Sequence, residues 1–262
     1  MNSASAMPDP TRVLKFIQNS IIYADGILIC VGAKDMNTVS TYITTIETIL
    51  HEHKIDSLKV SFLPIFPWGY FTPALNYAVQ YAQDNQFNRI AFQSLEVQVS
   101  IKEVQCVLRR LNTKNTIVVG PVLSGHDFIQ DSASSLQSLT GRTCPWNTFA
   151  IWRVHELGFI GFPLISDGTA EDRSMGGVEE VMAITMLQKI NSAYTAVLLN
   201  IQTHNTTSTN TLRAVAVGID TPGEVVASWD TKFVDPQRQQ YHDQKMASKV
   251  HRPATQLRVL GI

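Results

Sequence analysis

PALNYAVQYAQDNQFNRIAFQSLEV, residues 73–97, is the stretch from which the rest of the chain is read. It opens on Pro73, whose backbone angle suits the first turn of a helix. Leu75, Ala78, Val79 and Ala82 then recur on one face, so residues 73–85 are expected to form a helix. Residues 89–93, RIAFQ, follow as a short strand that runs out into Ser94, Leu95 and Glu96.

The same alternation extends outward in both directions. Upstream, a helix over 11–22 precedes the apolar run GILICVGA at 26–33, which reads as a buried strand. A helix over 37–53 comes next, with Asn37 or Thr38 as its possible cap, and then the strand LKVSFLPI at 58–65. Pro64, Pro67 and Gly69 force the following FPWGYF segment into a loop. Downstream, a helix over 101–111 leads to the strand TIVVGPVL at 116–123. Residues 125–145, rich in Ser, Asp and Gly, read as a surface loop or broken helix, and NTFAIWRVHEL at 147–157 reads as a helix. After a loop over 158–175 the spacing predicts a helix over 177–190 and strands near 194–201 and 212–220, the two strands separated by a polar hairpin loop. The polar segment 236–258 reads as a helix interrupted by Pro253.

Strands alternating with helices predict an α/β fold: one Rossmann-like sandwich with a mainly parallel central sheet and helices on both faces. The 262 residues suit a single domain over 11–262, preceded by a polar tail at 1–10 without the apolar run of a signal peptide. Hydrophobic residues at 44% and charged residues at 16% predict a packed core. A net charge of -1 with no dominant block of one sign argues against a nucleic-acid partner. No window reaches the roughly 18 apolar residues of a membrane span. Cys30, Cys106 and Cys144, odd in number and widely spaced, read as free thiols, which points to a reducing, cytoplasmic setting. Walker, Gly-X-Gly-X-X-Gly, Cys-X-X-Cys and Gly-X-Ser-X-Gly motifs are missing from the sequence.

In open parallel sheets, ligands bind beyond the carboxyl ends of the strands. The side chains placed there are Lys34 and Asp35, then Trp68 and Gly69, then Ser94, Leu95 and Glu96. Asp35 meets a nucleotide base or ribose, or caps the next helix. Trp68 and Trp146 stand in loops beside Pro and Gly, where an indole stacks on a sugar or covers the core. Asn76, in the first turns of its helix, bonds a ligand or local backbone. Glu96 either meets a ligand or is a solvated residue beginning the next helix. Glu179 and Glu180, beside Gly176 and Gly177, either act chemically or complement the helix dipole. His242 and His251 in the C-terminal segment are metal-ligand types, and no spacing there defines a metal site.

The order of these features resembles glycosyltransferases with the type-A fold, especially the family 2-like group. There an Ala-Leu-Asn helix leads to a strand ending in an acidic motif; NTFAIWRVHELGFIGFP looks like the acceptor-side helix, and GGVEEV like the later acidic pair. The resemblance spans roughly residues 26 to 190. It implies a nucleotide-binding part at about 26–125 and an acceptor-side part at about 126–262. It also implies transfer of a sugar from a nucleoside-diphosphate sugar to an acceptor hydroxyl, with Mn²⁺ or Mg²⁺. Asp35, Trp68, Asn76, Ser94 and Trp146 would then line the nucleotide-sugar site. Glu96, with His242 or His251, would serve the metal, and Glu179 or Glu180 would act as the base. Where the family has Asp-X-Asp this chain has Ser94-Leu95-Glu96, one carboxylate instead of two. That departure supports an alternative, a catalytically inactive binding protein on the same fold. A nucleotidyltransferase ranks lower, for want of a Gly-rich basic loop near the first strand. The apolar residues near 159–165 would form an acceptor cleft or a homo-oligomer contact.

Overall fold

The computed structural model describes residues 8–123, 125–127, 139–168 and 177–201. Along them run α1 Pro10–Ser20, β1 Ile27–Gly32, α2 Met36–Glu52, β2 Val60–Ile65, α3 Phe71–Asp84, β3 Arg89–Gln93 and α4 Ile101–Leu111. Then come β4 Thr116–Pro121, β5 Phe149–Arg153, α5 Val154–Gly158, α6 Glu179–Ile190 and β6 Thr195–Leu199, with short 3₁₀ turns at Ser57–Lys59 and Leu164–Asp167. The expected strand at 212–220 and helix at 236–258 lie outside the described residues.

The strands form two sheets, which corrects the expectation of one mainly parallel sheet. β1 and β2 pair in parallel, joined through α2 as a βαβ unit. The other four strands lie in the order β3, β5, β4, β6. In that sheet β4 and β6 are parallel, whereas β5 runs antiparallel to both β3 and β4.

β5 is also where the expected 147–157 helix fails. Phe149, Ala150, Ile151 and Trp152 are all buried, so they carry no one-faced pattern. A short apolar run buried on both sides fits a strand or a helix equally by periodicity. The pairing of Gln93 with Phe149 and of Val119 with Ile151 makes it a strand, and the helix shrinks to the single turn α5.

Two apolar clusters hold these layers. The larger gathers Trp152, Phe149, Phe162, Ile117, Ile184 and Leu187 between the four-stranded sheet and helices α3 to α6. Removing such side chains from water contributes roughly 1.5–3 kcal/mol each. The smaller gathers Val13, Leu14 and Ile17 of α1 with Ile46 and Leu50 of α2 and Val60 of β2. β1 joins the clusters through its two-residue alternation: Ile27 and Ile29 belong to the smaller, Leu28 and Cys30 to the larger. Tyr23 adds a polar tie, donating from its hydroxyl to Gln93 Oε1 at 2.7 Å.

Helix ends follow local chemistry. Ser100 and Glu103 form a complete capping box on α4. The cap of α2 is Asp35 rather than Asn37 or Thr38, because its extended backbone lets the carboxylate reach back to Thr38. The strand expected from 58 begins at Val60, since Asp56 turns Ser57–Lys59 into a 3₁₀ step. Among the described residues, no helix is long and apolar enough to cross a membrane.

Candidate functional site

The antiparallel run of β5 assembles one end of the four-stranded sheet. Gln93, the last residue of β3, pairs with Phe149, the first of β5. Residues just before β5 must therefore lie beside residues just after β3. The Ser94 N–H donates to the Thr148 carbonyl at 2.9 Å, and the Ser94 carbonyl accepts from Val97 N–H at 3.0 Å, closing a turn around Leu95 and half-buried Glu96. One residue earlier, the Asn147 N–H donates to Glu180 Oε1 at 2.7 Å. A two-residue segment, Asn147-Thr148, thus joins the strand-end Ser94-Leu95-Glu96 motif to the acidic start of α6.

Both acids at that start are largely withdrawn from water: Glu179 is 8% and Glu180 4% exposed. Gly177 precedes them with φ 84°, a left-handed backbone that glycine adopts freely, and its N–H bonds the Ser166 carbonyl at 2.9 Å. The first turn of α6 is therefore anchored from two directions. Asp167, next to Ser166, accepts from the Thr72 N–H and so caps α3 from across the fold.

Asn147 and Trp152 are the participants that reading the sequence missed. The Trp152 indole N–H donates to Asn147 Oδ1 at 2.9 Å, and both residues are buried. Taking 147–157 as a helix hid this pair, because only a strand places the Asn147 backbone at the tip of β3. The signal available was the run of aromatic and branched residues from Phe149 to Trp152.

The remaining candidates divide. The Asp35 carboxylate is held by the Thr38 N–H at 2.8 Å and its hydroxyl at 2.7 Å, and these bonds keep it below the usual carboxylate range. Trp68 is 38% exposed at the carboxyl end of β1, with Phe71 edge-on at 6.1 Å. Its indole lies so close over Gly32 that a Cβ there would collide with the ring. Both polar atoms of the Asn76 carboxamide bond the Phe162 backbone. Trp146 is only 3% exposed; its indole N–H donates to the Gly141 carbonyl and its ring stacks on His126 at 3.8 Å. That places Trp146 in the core rather than on an open face. His242, His251 and Gly176 lie outside the described residues.

Among the described residues, no three His, Cys, Asp or Glu side chains gather as a metal-ligand set. The three cysteines are free thiols, and burial pushes the Cys30 thiol up to about 11. A surface hollow lined by Leu50, Ile55, Leu58 and Phe62 opens near Val60, at the amino end of β2 and so at the opposite end of that strand from the Trp68 loop.

No family model and no curated protein matches the chain. Among solved structures, it is similar to a mannosyltransferase from Pyrobaculum calidifontis in complex with GDP-Man and Mn²⁺. The TM-score is 0.39 and the sequence identity 10%, over 72% of this chain and 56% of that one. The chain thus spans little more than half the length of that structure.

Proposed function

We propose that this protein is a glycosyltransferase that passes a sugar from a nucleoside-diphosphate sugar to an acceptor hydroxyl. The observation that carries the reading is the Asn147-Thr148 bridge, which ties Ser94-Leu95-Glu96 and Glu179/Glu180 to one end of one sheet. A transfer site needs these two functions side by side: a group that receives the diphosphate and a carboxylate that meets the acceptor. Trp68, 38% exposed at the carboxyl end of β1, has a ring suited to the apolar side of a sugar.

Mn²⁺ or Mg²⁺ belongs to this reading. Glu96 is the described residue that would hold the ion, with phosphate oxygens and water completing the set, an arrangement that hard divalent cations accept. Bound there, the ion would supply charge for the diphosphate leaving group. Glu180 or Glu179 would take the acceptor proton. We assign the activity to one domain over 11–262 in the cytoplasm, with a homo-oligomer contact near 159–165, where Phe159 and Leu164 are exposed.

The single carboxylate of Ser94-Leu95-Glu96 favours a second reading, an inactive binding protein on the same scaffold. A thermal-shift screen with UDP, GDP and their sugars, each with and without Mn²⁺, separates the two. The transferase reading expects a rise in Tm that requires nucleotide and metal together and that Glu96→Ala removes, since ligands selective for the native state stabilise it. No response to any nucleotide sinks it.

A further inference from the structure

We propose that Asn147 is a positioning residue for Glu180, held in place by Trp152; this rests on reading Glu180 as a functional carboxylate. Three observations carry it. The Trp152 indole can only donate, so it fixes Oδ1 of the Asn147 carboxamide toward itself at 2.9 Å. With its side chain pinned to the central strand, Asn147 presents its backbone N–H to Glu180 Oε1 at 2.7 Å. Its Nδ2, buried with the rest of the side chain, has no hydrogen-bond partner among the described residues. Buried donors are mostly paired in native proteins, so this one calls for a reason.

The residue type has a reason in the site. Aspartate would also accept from the indole and would leave no donor unpaired, but it would set a second negative charge beside a buried carboxylate. Asparagine is the neutral isostere that keeps the anchor without that charge. Besides Glu179 and Lys189 on α6 itself, the elements packed most closely against that helix carry Asp167 in the Leu164–Asp167 turn and His155 and Glu156 in α5, while β6 carries no ionisable group. Of these groups, none is bonded to the Glu180 carboxylate through a backbone N–H as Asn147 is.

The test is carbon NMR of the full chain labelled at the glutamate carboxyl carbons, with Glu180 assigned by Glu180→Gln. In Asn147→Asp, the Glu180 titration midpoint should rise by about one pH unit while that of Glu179 moves much less. In Trp152→Phe, the Glu180 carboxyl resonance should shift while that of Glu179 holds. Unmoved Glu180 signals in both variants, or equal movement of Glu179, would overturn the assignment. Should either variant fail to fold, the wild-type Asn147 amide resonance decides: it should move in Glu180→Gln, and an unchanged resonance refutes the contact. The transferase reading is judged separately. If the wild type transfers sugar, Asn147→Asp should lower kcat at least tenfold with KM for the nucleotide sugar within about twofold. A wild type that transfers nothing removes the transferase reading and leaves the NMR result to stand or fall alone.

Discussion

The Asn76 carboxamide grips the Phe162 backbone from both sides: Nδ2 donates to the Phe162 carbonyl at 2.9 Å, and Oδ1 accepts from the Phe162 N–H at 2.7 Å. This pair of hydrogen bonds joins the middle of α3 to the turn that leads into Leu164–Asp167, across 86 residues of sequence. Asn76→Ala should cost roughly 2–3 kcal/mol in urea unfolding, because two partly buried backbone groups lose their partner. Asn76→Asp, which keeps the acceptor but turns a second oxygen on the Phe162 carbonyl, should also lower the urea midpoint. If Asn76 serves the protein chiefly by contacting nucleotide, Asn76→Ala would instead leave the urea midpoint near that of wild type.

Gly32→Ala should displace the Trp68 indole, since the added methyl occupies the ring's place. Overpacking of this kind costs about 1–3 kcal/mol where the neighbour resists. Trp68 is partly exposed and has room to swing outward, so the expected loss lies at the low end. Its fluorescence should move to the red, measured as the difference between Gly32→Ala and the same change in a Trp68→Phe background. The same spectral change on Gly32→Ala in both backgrounds argues against the contact.

Acid should weaken the cap on α2. The Asp35 carboxyl lies below its ordinary value of 3.8 because the Thr38 N–H, and next the Thr38 hydroxyl, bond its charged form. A group depressed on folding adds stability that is present above its unfolded value and disappears as the pH falls through the folded one. The urea midpoints of wild type and Asp35→Ala should therefore differ at pH 7 and converge below pH 3.8. A gap that persists at pH 2 would mean that the charge is not what holds the cap.

Cys30 should resist thiol reagents. Burial raises its thiol to about 11, so at pH 8 very little of it is the reactive thiolate. Alkylation followed by peptide mass analysis should leave Cys30 unmodified in the native protein and modified in urea. Rapid native labelling would contradict its placement against the larger core.

Glu180→Gln should fold and unfold close to wild type, because the amide oxygen still accepts from the Asn147 N–H. Under the transferase reading it should lose sugar transfer by a factor of at least 10² while retaining the metal-dependent thermal shift with nucleotide, since general-base catalysis commonly contributes 10²–10⁴. Retained transfer would move the base role to Glu179.

The amino-acid sequence alone determined the elements whose apolar residues repeat on one face or form isolated runs. Helices α1, α3, α4 and α6 and strands β1, β3 and β4 fall where spacing and capping residues put them, because those patterns are local. The sequence also marked Glu96 and Glu179/Glu180 as chemistry-bearing positions at element ends, without saying whether they meet. Tertiary structure decided β5. Phe149–Trp152 is buried on all sides, so its periodicity does not distinguish strand from helix, and the choice is made when β3 and β4 hydrogen-bond to it. That pairing set an antiparallel strand between β3 and β4, put Asn147 and Thr148 beside Ser94, and joined them to Glu180. Long-range hydrogen bonds of this sort carry no periodic signature, which is why the junction became visible only once the chain was folded.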